Sequence, residues 1–194
     1  MKSQLKDMES NKESDAVLAA VNPLLGCGVF VFLKMPNFWS VLKSPEPPEC
    51  NALGKEEVKG GFRWVMSGFM HALLLNEEKQ LAYPLFVEAK EFRNDSQPLG
   101  FIKTRLQKLE EKNRIVERKQ LRVNGHEAVC SMWMSRKRIV LRRKEAILVN
   151  LECVTYCSFT KRLLLFRIQS SHVKGFMEDL EKILSILSSA TCHA

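Results

Sequence analysis

The fold is decided by residues 114–169, whose sequence is RIVERKQLRVNGHEAVCSMWMSRKRIVLRRKEAILVNLECVTYCSFTKRLLLFRIQ. Four strand-like runs follow one another in this stretch, and Asn124-Gly125 joins the first two. Asn-Gly between two such runs predicts a tight hairpin, because both residues tolerate the positive φ of a type I′ turn. The third run alternates clearly. Its inward-facing residues are predicted to be Ile147, Val149, Leu151, Cys153, Thr155, Cys157 and Phe159, with Asn150, Glu152 and Ser158 opposite.

Two amphipathic helices are predicted on either side of this block. After Ser170-Ser171, apolar residues recur at helical spacing at Val173, Phe176, Leu180, Ile183, Leu184 and Leu187. Ser96 and Pro98 are typical of a helix N-cap and first turn. The apolar stripe of that earlier helix is supplied by Leu99, Ile102, Leu106 and Leu109.

The first hundred residues carry a weaker pattern. Residues 1–15 are predicted to be a frayed polar terminus or the start of a helix that continues to Asn22-Pro23. Strands are predicted in residues 29–36, 62–75 and 81–92, and the proline-rich residues 43–54 are predicted to form a loop. Gly68 indicates a bulge or a close backbone approach, and Pro84 indicates an edge strand.

Short turns between successive strands favour an antiparallel meander. Two helices must bury their apolar stripes against it. The sequence therefore predicts an α+β fold with a central antiparallel sheet of about six strands sandwiched by amphipathic helices. This single α+β domain is predicted to span residues 16–194.

The order of these elements, together with two short motifs, resembles the PsbP-like fold. The motifs are VNGHEA at 123–128 and FMEDLEKILSILSS at 176–189, which are similar to a hairpin and the last helix of that group. The group includes extrinsic photosystem proteins, a Ran-binding nuclear-import factor and uncharacterised prokaryotic domains. The resemblance covers residues 28–190 and implies a binding or assembly role. It carries no functional residue over to this chain, and the proline-rich amino-terminal loop departs from the group.

The charge of the chain is concentrated in its second half. The formal net charge is +8, with 11 Lys/Arg against 13 Asp/Glu in residues 1–100 and 19 against 9 in residues 101–194. The predicted partner-binding cluster consists of Arg136, Lys137, Arg138, Arg142, Arg143 and Lys144. Such a cluster suits an acidic protein or nucleic acid. The alternative is a solvated hairpin whose charges protect a sheet edge from pairing.

The six cysteines are predicted to be free thiols, because a chain of 194 residues with 45% hydrophobic residues does not need disulfides to fold. Cys153 and Cys157 lie in the same predicted strand. Their sulfurs would stand roughly 13 Å apart, too far to bind one metal ion. Both are therefore predicted to be core thiols.

The sequence predicts no catalytic residue, no cofactor and no metal site. Its histidines lie far apart in the sequence, without a metal-binding spacing, at His71, His126, His172 and His193. His126 and Glu127 are adjacent strand residues, so their side chains point to opposite faces and do not act as an acid/base pair. A serine or cysteine nucleophile stays open, because no residue stands out. The sequence leans towards a non-enzymatic protein.

The apolar residues 16–33 do not predict a signal peptide or a membrane span. The preceding residues carry three lysines and four acids, and Asn22, Pro23, Gly26 and Gly28 interrupt the run. A cytoplasmic location is the prediction that follows.

The leading functional hypothesis is a non-enzymatic binding or assembly domain that engages an acidic macromolecule through its basic carboxy-terminal half. The alternative is a small-molecule-binding protein or enzyme with a cavity between sheet and helices. A homodimer formed through an exposed sheet edge also stays open.

Overall fold

A computed structural model describes residues 13–24, 27–44, 47–139, 144–191 and 193. In that part of the chain the elements are, in order, β1 (Ser14–Asn22), β2 (Cys27–Met35), β3 (Trp39–Lys43), β4 (Glu49–Val58), β5 (Gly61–Asn76), β6 (Leu81–Glu91), α1 (Ser96–Lys112), β7 (Ile115–Val123), β8 (His126–Ile139), β9 (Lys144–Cys157), β10 (Arg162–Ser170) and α2 (Val173–Ser188).

Within the described residues, eight strands form one antiparallel sheet in the order β3-β5-β6-β10-β9-β8-β7, with β4 also paired to β5. The α+β class and the antiparallel arrangement are confirmed. The predicted count of about six strands is too low. β1 and β2 form a separate two-stranded sheet.

β1, β3 and β4 are the strands that the sequence did not predict. In β1, Leu18 and Ala20 are buried whereas Val17 and Val21 are exposed, which is the alternation of a strand and not the stripe of a helix. Ser14 and Asp15 belong to this strand, so the predicted polar terminus ends earlier than residue 15; residues 1–12 lie outside the described residues. β4 replaces the second part of the predicted loop, because the long strand β5 pairs with both β3 and β4.

The prediction that Pro84 marks an edge strand is wrong, since β6 lies between β5 and β10. The ladder between β6 and β10 ends at Leu85 paired with Ile168. Pro84 therefore lies one residue beyond that ladder, where its missing N–H breaks no pair with β10.

The two helices cover opposite faces of the large sheet. α2 and the β1–β2 hairpin cover the face that we call the α2 face, where Phe166 and Leu151 belong to the main core. On the other side, the α1 face, Phe101 and Ile102 pack against the smaller cluster around Leu163. α1 is the more loosely attached helix, because Pro98 is its buried residue and Leu99, predicted to face the core, is 67% exposed.

Both helices begin slightly away from the predicted residues. The N-cap of α1 is Asp95 and not Ser96, and the N-cap of α2 is His172. Neither N-cap side chain donates or accepts a capping hydrogen bond. The periodicity located both helices correctly, whereas cap residues are the least reliable part of such an inference.

Two local predictions about glycine are confirmed. Asn124 and Gly125 join β7 to β8 with φ values of 48° and 80°, as a type I′ turn requires. A Cβ at Gly68 would lie 2.9 Å from the Cβ of Val29. Glycine at that position therefore allows the β1–β2 hairpin to pack closely on β5.

β9 is buried on both faces over most of its length, whereas the sequence predicted one face towards the core and the other towards solvent. Val149, Leu151, Cys153, Thr155 and Cys157 are buried as predicted. Asn150 and Glu152, predicted to face solvent, are 8% and 3% exposed because they point towards the α1 face. Ile147 (52% exposed) and Phe159 (77% exposed) lie beyond the ends of the packed region, so the prediction that they face the core is wrong.

The prediction of free thiols is wrong for Cys130 and Cys153, which form a disulfide across β8 and β9. These residues are direct partners in the ladder, with 4.0 Å between their Cα atoms. A cross-strand pair on one face brings the two side chains together whatever the separation in sequence. Cys157 is a buried thiol, as predicted.

Candidate functional site

The described part of the basic cluster lies on a ribbon that extends beyond the rest of the sheet. β7 pairs with β8 as far as Trp133, and β10 pairs with β9 as far as Val149. Beyond those positions, and within the described part of the chain, residues 134–139 of β8 form ladder pairs only with residues 144–149 of β9. We call residues 134–148 the β8–β9 arm. A two-stranded ribbon without flanking strands exposes both of its faces.

The β8–β9 arm carries six basic residues and one acid in its sequence. Arg136 and Lys137 are both exposed, and as consecutive strand residues they point to opposite faces of the ribbon. Glu145 is the acid, and its Oε2 lies 3.9 Å from Nη1 of Arg136. Both side chains are mostly exposed, so this ion pair cancels little of the positive potential.

The other members of the predicted cluster are placed only in part. Arg138 and Lys144 belong to the backbone ladder, with Arg138 opposite Glu145, but their side chains lie outside the described part of the chain. Arg142 and Arg143 lie outside the described residues altogether. The arm also exposes apolar surface, since Met134 is 43% and Ile147 is 52% exposed.

A groove runs along the α1 face next to the base of the arm. We call it the sheet-face groove; its volume is about 430 Å³. It lies on the part of this face that α1 leaves open, and Trp133 connects it to the arm. Its lining includes His71, Phe86, Trp133, Asn150, Arg167 and Gln169. This volume lies in the range of small-molecule sites.

The charged side chains in and beside the sheet-face groove form ion pairs with one another. Arg167 lies 4.9 Å from the ring centroid of Phe86, and its Nη2 and Nε lie 3.4 Å from Glu88 Oε2 and 3.2 Å from Glu152 Oε2. Glu152 also accepts hydrogen bonds from Arg105 of α1. Two arginines therefore balance two glutamates, and the groove has little net charge.

An amide pair closes the end of the groove nearest the arm. Gln169 Nε2 donates to Asn150 Oδ1 at 2.7 Å, and Asn150 Nδ2 donates to Ser135 Oγ at 3.0 Å. Asn150 is buried, whereas Gln169 is exposed. Gln169 is thus the amide that a bound molecule would contact.

The sequence predicts no metal site, but the structure brings His126, Cys157 and His193 together. Their ligand atoms all lie within 4.8 Å of one another. Burial lowers the pKa of His126 below its usual value, and the nearby His193 lowers it further. These three residues could hold a metal ion.

The proximity of His126 and Cys157 could have been inferred from the sequence. The β8–β9 register that pairs Cys130 with Cys153 places His126 opposite Cys157 when it is continued. That register becomes visible only once the hairpin loop is located. His193 gave no signal, because its position depends on the path of the chain after α2.

Known proteins provide little guidance. No family model matches the chain, and no curated protein matches it. A solved structure with a similar shape is that of PA94, a protein of unknown function from Pseudomonas aeruginosa. It has 10% sequence identity and a TM-score of 0.42, and the match covers 80% of this chain and 89% of that chain. A likeness at this level carries no argument about fold or function.

Neither helix in the described part of the chain has the length and apolar content needed to cross a bilayer.

Proposed function

We propose that the protein is a non-enzymatic binding domain that engages an acidic macromolecule through the β8–β9 arm. The observation that carries the proposal is that Arg136, Lys137, Arg138 and Lys144 belong to a ribbon that no other strand flanks among the described residues. A charge cluster spread over a sheet surface would serve solubility equally well. A projecting ribbon with cations on both faces can instead enter a groove or wrap around a partner.

Nucleic acid suits the β8–β9 arm better than an acidic protein does. Four of the six basic residues are arginines, which bind phosphate with two parallel hydrogen bonds. The major groove of duplex DNA is wide enough to admit a two-stranded ribbon. The binding role implied by the PsbP-like resemblance agrees with this proposal, and that resemblance stays a prediction, as do the cytoplasmic location and the homodimer.

The proposal predicts that charge reversal on the arm abolishes binding. Arg136, Arg138, Arg142 and Arg143 are changed together to glutamate, and binding to a labelled DNA duplex is followed by fluorescence anisotropy over a range of salt concentrations. We expect affinity to fall at least about a hundredfold at low salt, because the phosphate contacts of four arginines are lost. Each lost contact should also make the slope of log K against log salt shallower by roughly 0.9.

A matched control carries the same change in net charge elsewhere. Lys103, Lys108 and Lys112 of α1 and Lys174 of α2 are all exposed, and their change to glutamate should weaken binding far less than the change on the arm. Poly-glutamate serves as the competing partner. Equal DNA binding by the arm variant and the lysine control variant would contradict the proposal. Stronger binding of poly-glutamate than of DNA would indicate that the partner of the arm is an acidic protein.

The sheet-face groove supports a second candidate function, the binding of a small molecule. Its aromatic side chains and paired charges favour a neutral, aromatic ligand over an anion. A thermal-shift screen of aromatic metabolites should then find a compound that raises the melting temperature of the wild type. Gln169→Trp, which fills the groove from an exposed position, should abolish that shift, whereas the arm variant should keep it. A screen in which no compound stabilises the wild type would count against this candidate.

A further inference from the structure

Three potential ligands from separate segments meet at one end of the α2 face. His126 is the first residue of β8, Cys157 is the last residue of β9, and His193 belongs to the segment that follows α2. Cys157 Sγ lies 3.3 Å from His193 Nδ1. The ring centroids of His126 and His193 are 5.3 Å apart.

The segment that carries His193 is fixed to the body of the protein. Thr191 and Phe32 of β2 form a bridge, in which each backbone N–H donates to the carbonyl of the other at 2.9 and 3.2 Å. Asn124 Nδ2 donates to the carbonyl oxygen of His193 at 3.3 Å and lies 3.0 Å from its Nδ1. The imidazole of His193 is therefore held over the ends of β8 and β9.

The cluster contains a buried nitrogen whose hydrogen-bonding capacity is unused. His126 Nε2 is shielded from solvent and has no hydrogen-bond partner within the described residues. A buried polar atom without a partner is costly, and an ion is one of the standard explanations for it. Thr160 N–H donates to Cys157 Sγ at 3.3 Å, which helps to fix the position of the sulfur beside the two imidazoles.

We propose that His126, Cys157 and His193 bind a zinc ion. Two imidazoles and one thiolate are ligands that Zn²⁺ prefers, and three protein ligands leave a fourth tetrahedral position. Zinc ligand atoms in a tetrahedral site are about 3.3–3.8 Å apart, given bond lengths of 2.0–2.3 Å. The longest separation in this cluster, which is at most 4.8 Å, must therefore shorten by about 1 Å.

A cysteine–histidine nucleophile is the competing explanation for the contact between Cys157 and His193. Cys157 is 1% exposed, so the site has no room for a substrate-sized electrophile beside its sulfur, whereas a single ion is much smaller. Such a dyad also leaves His126 Nε2 unexplained. The zinc ion accounts for all three side chains and ties the segment after α2 to the sheet.

The test is a metal titration of the full-length chain after removal of bound metal under reducing conditions. Co²⁺ is added as the probe, and the cobalt–thiolate charge-transfer absorption is recorded; Zn²⁺ is then added to displace it. We expect one equivalent of Co²⁺ to produce the thiolate absorption and Zn²⁺ to abolish it. Zinc should also raise the melting temperature, because it binds only the folded protein.

Variants assign the site. Cys157→Ser should remove the thiolate absorption, and His126→Gln and His193→Gln should each weaken Zn²⁺ binding by at least about tenfold. His172→Gln, an exposed histidine at the start of α2, and Cys50→Ser, a buried cysteine on β4, are the matched controls and should bind as the wild type does.

Circular dichroism checks that each variant is folded, and the two histidine variants suffice should Cys157→Ser not fold. Absence of a thiolate absorption in the wild type, or undiminished zinc binding by both histidine variants, would overturn the proposal.

Discussion

Replacement of Phe166 by alanine is expected to lower the free energy of unfolding by about 3–5 kcal/mol. Phe166 is 1% exposed and lies on β10, opposite Val87 of β6 and Cys153 of β9. Its ring fills the centre of the α2 face, so its removal leaves a cavity that the surrounding strands cannot close. Equilibrium unfolding in urea measures the change.

Phe62→Ala is the control for the loss of a phenyl ring. Phe62 is 64% exposed and contacts Lys55 Nζ, which lies 3.7 Å from its ring centroid. Its removal should change the free energy of unfolding by less than about 1 kcal/mol. If Phe166→Ala were no more destabilising than Phe62→Ala, the α2 face would not be the core.

Asp179→Ala is expected to be the most damaging substitution of a polar residue, with a loss of about 2–4 kcal/mol. Asp179 of α2 is 3% exposed and accepts hydrogen bonds from Tyr83 Oη at 2.7 Å and from Asn76 Nδ2 at 2.8 Å. Lys79 Nζ donates to its other oxygen at 2.7 Å. Without the carboxylate, the tyrosine hydroxyl and the asparagine amide are buried without their acceptor. Glu178→Ala, which removes an exposed partner of Lys79, is the control and should have little effect.

The same carboxylate makes stability depend on pH. Burial by itself would raise the pKa of Asp179, but hydrogen bonds from Lys79, Tyr83 and Asn76 outweigh it and lower the pKa below the usual aspartate value. The folded protein therefore binds this proton less tightly than the unfolded chain does. The stabilisation is present above the usual aspartate pKa and is lost as the pH falls through the lowered one.

This dependence is measured by urea unfolding at a series of acidic pH values. The stability of the wild type should fall more steeply with acidification than that of Asp179→Ala. Parallel pH profiles for the two proteins would show that the hydrogen bonds of Asp179 do not depend on its charge.

The sequence predicted those features that depend on neighbouring residues. The turn at Asn124-Gly125 depends only on the backbone preferences of these two residues, and the apolar stripe of α2 depends only on the helical spacing of its apolar residues. The basic cluster could likewise be identified from composition. The position of its described residues on a ribbon could not, because it depends on where β7 and β10 stop pairing.

The features that were missed depend on distant partners. β4 is polar along much of its length, and it is a strand because β5 is long enough to pair with it as well as with β3. Pro84 was placed at an edge because the sequence does not show where the β6–β10 ladder ends. The cluster of His126, Cys157 and His193 needs both a strand register and the path of the chain after α2.

We expect the β8–β9 arm to be a separate binding element that the rest of the fold does not need. The most direct test replaces residues 136–147 by Asn-Gly, which joins Ser135 to Leu148 with a two-residue hairpin turn across an existing pair of the ladder. Urea unfolding and binding to the DNA duplex are then measured on the same protein. We expect a free energy of unfolding within about 1 kcal/mol of the wild type and an affinity at least about a hundredfold lower. A shortened protein that still binds DNA with wild-type affinity would show that the arm is not the binding element.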